Sequence, residues 1–425
     1  VARFGNWADK AFTKARVGDQ YAKRFAIHFP NEEREAGRPV RTRPIHALQQ
    51  ALGGVFGLNY GWEHVQWFAD APGAKDTNGF TRQNWFEPVG RECRMLRENA
   101  GIIDISNFAK YRVRGPKAAD WLNAIFANDM PKAVGRSCLT LLIGVRGGIA
   151  GDFTVTRLAD DGFMVIGSGM AERYHQRFWN MVPMPEGMSF ESLTEAMCGF
   201  NVAGPKSREL LQRLTNTSLA TADFPFMRSQ WIELAGVDCL ALRVSFTGDL
   251  GWELHCSTED QLRLYQALLD AGKTFSAGPV GGRALMSLRV EKGYGSWSRE
   301  YSPEYWPQEV GLAGLIKLDK EFLHKQAYLA IKCNPPREIL SIVEILDVTV
   351  ADATGGEPIF DKAGNGVGRV TSGTYGYGVN KSLALCYLKN VAPGDELDVM
   401  ILGIPHRAVV LAEPPFDPTG AKLRG

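Results

Sequence analysis

The sequence predicts a multidomain α+β protein: two α+β subdomains, then a C-terminal β-barrel or jelly roll, with an irregular arm in front. Three observations predict this. A Gly-Pro pair followed by helical periodicity occurs at Gly115 and again at Gly204, about 90 residues later, which suggests a duplicated unit. Beyond residue 334 the chain consists of short β-rich runs at even spacing, with no helical window. Before residue 90, prolines at 30, 39, 44, 72 and 88 break the chain into short pieces. The expected domains are therefore 1–90, 91–333 and 334–425.

The elements follow in order. In the arm, residues 39–52 predict an extended approach and a short helix with Leu48, Ala51 and Leu52 on one side. Residues 57–68 add Trp62, Trp67 and Phe68, large groups that a loop would not expose without a partner. Residues 115–126 predict a helix with proline near its start and Ala118, Trp121, Leu122, Ile125 and Phe126 on one stripe. Residues 204–214 repeat the pattern. Residues 144–157, G-V-R-G-G-I-A-G-D-F-T-V-T-R, place four glycines in a turn and then Phe153 and Val155 on a departing strand. Residues 243–255 predict a hairpin around the turn 247–251. Ser257 and Asp260 give a start like a capping box to a helix running to Gly272, and residues 284–291 predict another. The barrel strands are expected near 339–345, 367–374, 383–388, 397–402 and 408–411, with turns at 363–366 and 392–395.

Composition excludes several classes. At 425 residues the chain is too long for one core, and 45% apolar with 22% charged residues is the balance of a soluble globular protein. Forty-eight basic and 47 acidic residues leave +1, which argues against nucleic acid or an anionic membrane surface as partner. No apolar run of about 18 residues and no secretory leader are expected. The seven cysteines are scattered singly and are expected to be reduced core residues in an intracellular compartment; the seven histidines have no metal-ligand spacing, so no metal is expected. Neither G-x-x-x-x-G-K-[ST] nor G-x-G-x-x-G occurs. Opening on Val1, the chain is expected to be processed, partial, or one half of something longer.

Two acids stand out. Asp152 sits where the glycine turn meets a strand; it either closes the turn on its own backbone or is aimed at a ligand by a rigid support. Glu253 lies between Trp252 and Leu254 on the returning arm of the hairpin, so it either points to solvent or is lowered into a pocket where it must find donors. Arg289 and Glu291 end the 284–291 helix, as a buried ion pair tying domains together or as a charged wall lined also by Tyr294 and Trp297. Asn128 and Asp129 read as a helix-end turn, and Tyr301, Tyr305 and Trp306 as packing.

The two acid-bearing stretches, with G-P-K-S-R at 204–208 between them and S-L-R-V-E-K-G-Y at 287–294 after them, resemble the tetrahydrofolate-binding T-protein of the glycine cleavage system. More closely, from about residue 20 to the end, the chain is similar to T-protein relatives fused to a flavin domain, the dimethylglycine and sarcosine dehydrogenases. The resemblance implies a cloverleaf of three domains around a folate site, with the arm packing on a flavin oxidase half. It implies that FAD, bound mainly outside these residues, oxidises an N-methyl amine and that tetrahydrofolate captures the resulting iminium as 5,10-methylenetetrahydrofolate. Asp152 then aligns with the acid beside folate N10, and Glu253 with the acid that anchors the pterin. Phe246 stands where many relatives have tyrosine, so a stacking wall survives while a phenolic hydrogen bond does not. Two other readings stay open: a stand-alone folate-dependent demethylase or aminomethyltransferase, and a non-catalytic folate-binding protein.

Overall fold

The computed structural model describes residues 7–425; Val1 lies outside them. Helix α1 (Lys10–Ala22) begins at Asp9, whose carboxylate accepts the Phe12 N–H at 2.7 Å. The short helix α2 (His46–Ala51) forms where the periodicity places it. Strands β1 (Gly54–Asn59) and β2 (Trp62–Phe68) then pair as an antiparallel hairpin that hydrophobic alternation does not reveal. Along β2 the buried positions are Glu63, Val65 and Trp67, so an acid breaks the apolar series. Arg38 holds that acid with Nε and Nη2 at 3.0 and 2.6 Å from its two oxygens. Val17, Tyr21, Phe25 and Ile27 of the arm are exposed.

The central part contains helix α3 (Phe86–Glu98), strands β3 (Gly101–Asp104) and β4 (Ala109–Arg114), helix α4 (Ala118–Ile125), strands β5 (Ser137–Ile143), β6 (Ile149–Ala159) and β7 (Gly162–Gly167), helix α5 (Glu172–Trp179) and strand β8 (Ser189–Ser192). Then come β9 (Met197–Ala203), α6 (Ser207–Gln212), β10 (Ser229–Leu234), β11 (Val237–Leu242), β12 (Gly251–Ser257), α7 (Gln261–Lys273), β13 (Gly278–Val280) and α8 (Gly282–Glu291). They build two sheets, a five-stranded one in the order β5-β6-β7-β4-β8 and a six-stranded one in the order β10-β11-β12-β9-β3-β13.

Each sheet has a helix-covered face. Phe153, Val155, Phe163 and Val165 of the first pack on Trp121 and Leu122 of α4 and Phe178 and Trp179 of α5. Phe200, Trp252 and Leu254 of the second pack on Leu210 of α6 and Leu264, Tyr265 and Leu268 of α7. The opposite faces meet through Met164, Ile166, Leu193, Leu240 and Leu242. Side chains alternate along a strand, so whatever lies between the apolar residues of each core points into this inter-sheet layer.

The duplicated Gly-Pro turns are real constraints. Gly115 and Gly204 have φ of +134° and +123°. A Cβ on Gly204 would lie 2.4 Å from the Leu96 carbonyl oxygen. Gly204→Ala is expected to destabilise the fold by roughly 1–3 kcal/mol, measured by thermal unfolding.

After α9 (Lys325–Leu329), strands β14 (Ile339–Ile345), β15 (Pro358–Phe360), β16 (Gly366–Gly376), β17 (Lys381–Leu388), β18 (Glu396–Ile401) and β19 (Ile404–Val410) close a barrel in the order β14-β17-β16-β15-β18-β19, and α10 (Ala421–Arg424) ends the chain. Five strands fall where expected; the three-residue β15 is too short to show a period. Helix α8 is the joint between sheets and barrel. Ser287 Oγ donates to Tyr375 O at 2.8 Å, Arg289 Nη2 to Ser372 Oγ at 2.6 Å, and the Gly378 N–H to Glu291 Oε1 at 2.7 Å.

Candidate functional site

Asp152 is the fourth residue of β6, paired with Leu141, and so lies within the ladder rather than at the loop junction its glycines suggested. Thr154 opposes Ile166 of the inter-sheet cluster, so Asp152, two residues earlier, stands on the same face of the sheet, where its own partner Leu141 packs with Tyr305, Val310 and Tyr387. The side chain is half-buried, and no other residue among those described donates to its carboxylate. Burial pushes its pKa from 3.8 up to about 6, with only its own backbone N–H opposing. Tyr301, set aside by sequence as packing, stands beside it: burial and then the Asp152 charge hold the phenol above its ordinary range.

Glu253 reaches the layer from the other sheet. Its register partner on β11 is Leu242, of the inter-sheet cluster, while Trp252 and Leu254 point into the helix-covered core. Its side chain is 17% exposed, which decides against a freely solvated strand acid. His255, fully buried, places Nε2 3.6 Å from Glu253 Oε2. Lys110 of β4, also fully buried, donates from Nζ to Ser106 O at 3.0 Å and Phe108 O at 2.9 Å. Burial, then Arg43, pushes the Lys110 ammonium down to about 8, while Asp104 and Glu253 pull the other way. Sequence missed Lys110 because A-K-Y-R-V-R reads as a strand with a solvated basic face.

The predicted hairpin arm at 243–246 leaves the ladder, since β11 stops at Leu242. Local side-chain bonds replace the ladder: Ser245 Oγ accepts the Thr247 N–H, Thr247 Oγ1 accepts the Asp249 N–H, and Asn201 Nδ2 donates to Val244 O. This turns Phe246 onto Tyr294, with ring centroids 5.9 Å apart and planes 20° apart.

Residues 293–301, the loop after α8, carry the aromatic residues between the Phe246 turn and Asp152. Tyr294 meets Phe246 at one end, Trp297 stacks on Tyr174 at 5.8 Å in the middle, and Tyr301 packs on Gly295 and reaches the Asp152 side. Arg289 and Glu291 do not pair with each other. Arg289 Nη1 donates to Glu300 Oε2 at 2.8 Å and to Tyr294 O at 2.8 Å, whereas Glu291 accepts from Arg97 Nη2 at 2.6 Å. A cleft of about 180 Å³ where arm, α8 and barrel meet includes Arg82, Arg283 and Arg289, each held by an acid: Asp352, Asp76 and Glu300. Among the described residues no cluster of His, Cys, Asp or Glu can hold a metal ion. Five cysteines are buried, but Cys138 is half-buried and Cys333 is exposed in the turns after α9, against the expectation that all are core residues.

The GCVT N-terminal domain matches residues 45–320, and the glycine cleavage T-protein C-terminal barrel domain matches residues 342–417. The chain belongs to the glycine cleavage T-protein family. Residues 1–42 match a third family, the FAD dependent oxidoreductase central domain. Within the T-protein family the chain is 33% identical to the mitochondrial dimethylglycine dehydrogenase of Mus musculus over 99% of its own length and 49% of that protein. It is 32% identical to the 4-methylaminobutanoate oxidase (formaldehyde-forming) of Paenarthrobacter nicotinovorans, over 100% of its own length and 52% of the relative. The chain thus spans about half the length of these relatives. The T-protein fold is matched by the glycine cleavage system aminomethyltransferase T of Bartonella henselae, with a TM-score of 0.77 at 22% identity, covering 89% of this chain and 98% of that one. Among the described residues no helix is long and apolar enough to cross a membrane.

Proposed function

We propose that this chain is the folate-binding, one-carbon-accepting part of an FAD-dependent N-demethylating dehydrogenase or oxidase of the sarcosine or dimethylglycine type. The observation that carries the reading is Asp152, a half-buried carboxylate with no donor from another residue, on the sheet face that turns toward the second sheet, from which Glu253 points back. Tetrahydrofolate, when bound, supplies the nucleophilic nitrogen that takes up the one-carbon unit. The donor set fits such a ligand: Glu253 can accept two N–H groups from one edge of a planar ring, and Phe246 and Tyr294 give it an aromatic wall. Asp152 stabilises a cationic methylene by its charge and accepts the proton that the attacking nitrogen sheds. Arg289 belongs to the frame beneath the site.

FAD is expected on an oxidase half that meets the arm near residues 1–42, in the same polypeptide or a partner chain. The substrate is then a small N-methyl amine, and the setting the bacterial cytoplasm or mitochondrial matrix. The test is product analysis on the flavin-loaded protein with sarcosine and dimethylglycine: added tetrahydrofolate should turn formaldehyde into 5,10-methylenetetrahydrofolate. A formaldehyde yield indifferent to tetrahydrofolate would overturn the proposal and favour release, the outcome named in the Paenarthrobacter relative. Glu253→Gln is expected to weaken tetrahydrofolate binding about 10- to 100-fold, the loss of a charge-assisted pair of hydrogen bonds, read by calorimetric titration.

A further inference from the structure

We propose that His255 is a positioning residue that holds Glu253 Oε2 from behind and thereby orients the carboxylate so that both oxygens face the ligand edge; this rests on Glu253 being the ring-edge acceptor proposed above. His255 follows Glu253 by two residues on β12, so both side chains stand on the inter-sheet face. Its Nε2 lies 3.6 Å from Glu253 Oε2, and neither ring nitrogen has a hydrogen-bond partner among the described residues. A core position would favour an apolar side chain here, because a buried donor left unpaired costs about 1–3 kcal/mol.

The sheet is shaped to receive this ring. Directly across the ladder stands Gly199, where a Cβ would come within 2.8 Å of His255 Nδ1 and 3.2 Å of Cε1. Any larger residue would push the imidazole away from its present place. The electrostatics set its proton count. Burial lowers the His255 pKa; the contact with the Glu253 carboxylate opposes it, and Lys110, facing it from the other sheet, adds to the lowering. The imidazole is therefore neutral and has one N–H to give, and the acceptor beside Nε2 is the Glu253 carboxylate. At 3.6 Å the contact is longer than a hydrogen bond, and a small rotation of the Glu253 carboxylate would bring it within range.

The test is a double-mutant cycle on the 425-residue chain, read as affinity for 5-formyltetrahydrofolate by calorimetric titration. His255→Phe should weaken binding about 10-fold, and His255→Gln, which keeps an N–H donor, should recover most of that loss. In a Glu253→Gln background, His255→Phe should add nothing further. Effects of H255F and E253Q that simply multiply would overturn the positioning role and leave the Glu253 reading standing. An unchanged affinity in E253Q alone would overturn the Glu253 reading, and the positioning role with it. A second measurement needs no variant: long-range ¹H–¹⁵N NMR of the unsubstituted protein should show the His255 proton on Nε2. The Nδ1–H tautomer would sink the proposal.

Discussion

Asp152→Asn is expected to cut one-carbon transfer about 100-fold or more, with tetrahydrofolate affinity changed little. The amide keeps the shape but loses both the negative charge and the proton-accepting oxygen that the attacking nitrogen needs. A second consequence runs the opposite way. Burial raises the Asp152 pKa from 3.8 to about 6, so keeping the group ionised at neutral pH opposes folding. A shift of that size corresponds to at most about 3 kcal/mol, and solvent reaching the half-buried carboxylate reduces the expected gain in Asp152→Asn to about 1–2 kcal/mol at pH 7. That gain should shrink as the pH falls through 6 and vanish only below about 3, where the aspartate is protonated in both folded and unfolded chains. The transfer rate of the parent protein should rise with pH through about 6, as the base ionises. Denaturant melts at pH 3 and 7, with methylenetetrahydrofolate yields across the same range, check all three. A variant that is less active and no more stable would place Asp152 in an ordinary solvated position.

Arg289→Met is expected to destabilise the protein by about 3–5 kcal/mol, the cost of leaving a buried charge without its partner. Arg289 and Glu300 are both fully buried, and their pair joins α8 to the loop that carries Tyr294, Trp297 and Tyr301. Burial pushes the Glu300 pKa up, but Arg289, Ser372, Thr371 and the Ser296 N–H outweigh it and hold the acid below its ordinary range. A depressed carboxylate adds stability above its unfolded value of 4.5 and loses it as the pH falls further. In Arg289→Met that contribution should disappear from the neutral range. Adding Glu300→Gln should restore much of the loss, because the second change removes the stranded charge. Thermal unfolding of the two single variants and the double one measures the coupling.

How much of this was visible in the residues depends on where each signal lives. The barrel strands showed themselves because they are short β-rich runs at even spacing, cut by Gly-bearing turns. The two acids showed themselves because a lone carboxylate among glycines or between large apolar residues is chemically out of place. The β1–β2 hairpin stayed hidden because buried Glu63 interrupts its apolar series, and only the distant Arg38 makes that burial tolerable. Lys110 and His255 were hidden for a related reason: each looks like a surface residue on its own strand, and only the second sheet buries it. Tyr301 was passed over because closeness to Asp152 comes from the path of a loop, which no periodicity encodes. The departure of residues 243–246 from the predicted arm is set by Ser245, Thr247 and Asn201, whose short polar side chains compete with the ladder for backbone groups.

The closed barrel bears on how the protein would fail under heat. Its six strands all have neighbours on both sides, so they leave no row of backbone groups for another chain to join. The six-stranded sheet ends instead at β10, where Trp231 is 55% exposed and Glu233 is the acid guarding the same edge. Intermolecular strand addition, and the first insoluble species on warming, is therefore expected to start along residues 231–234, beyond the Ser229 N–H that donates to Gly135 O, with Glu233 as the residue that holds it back.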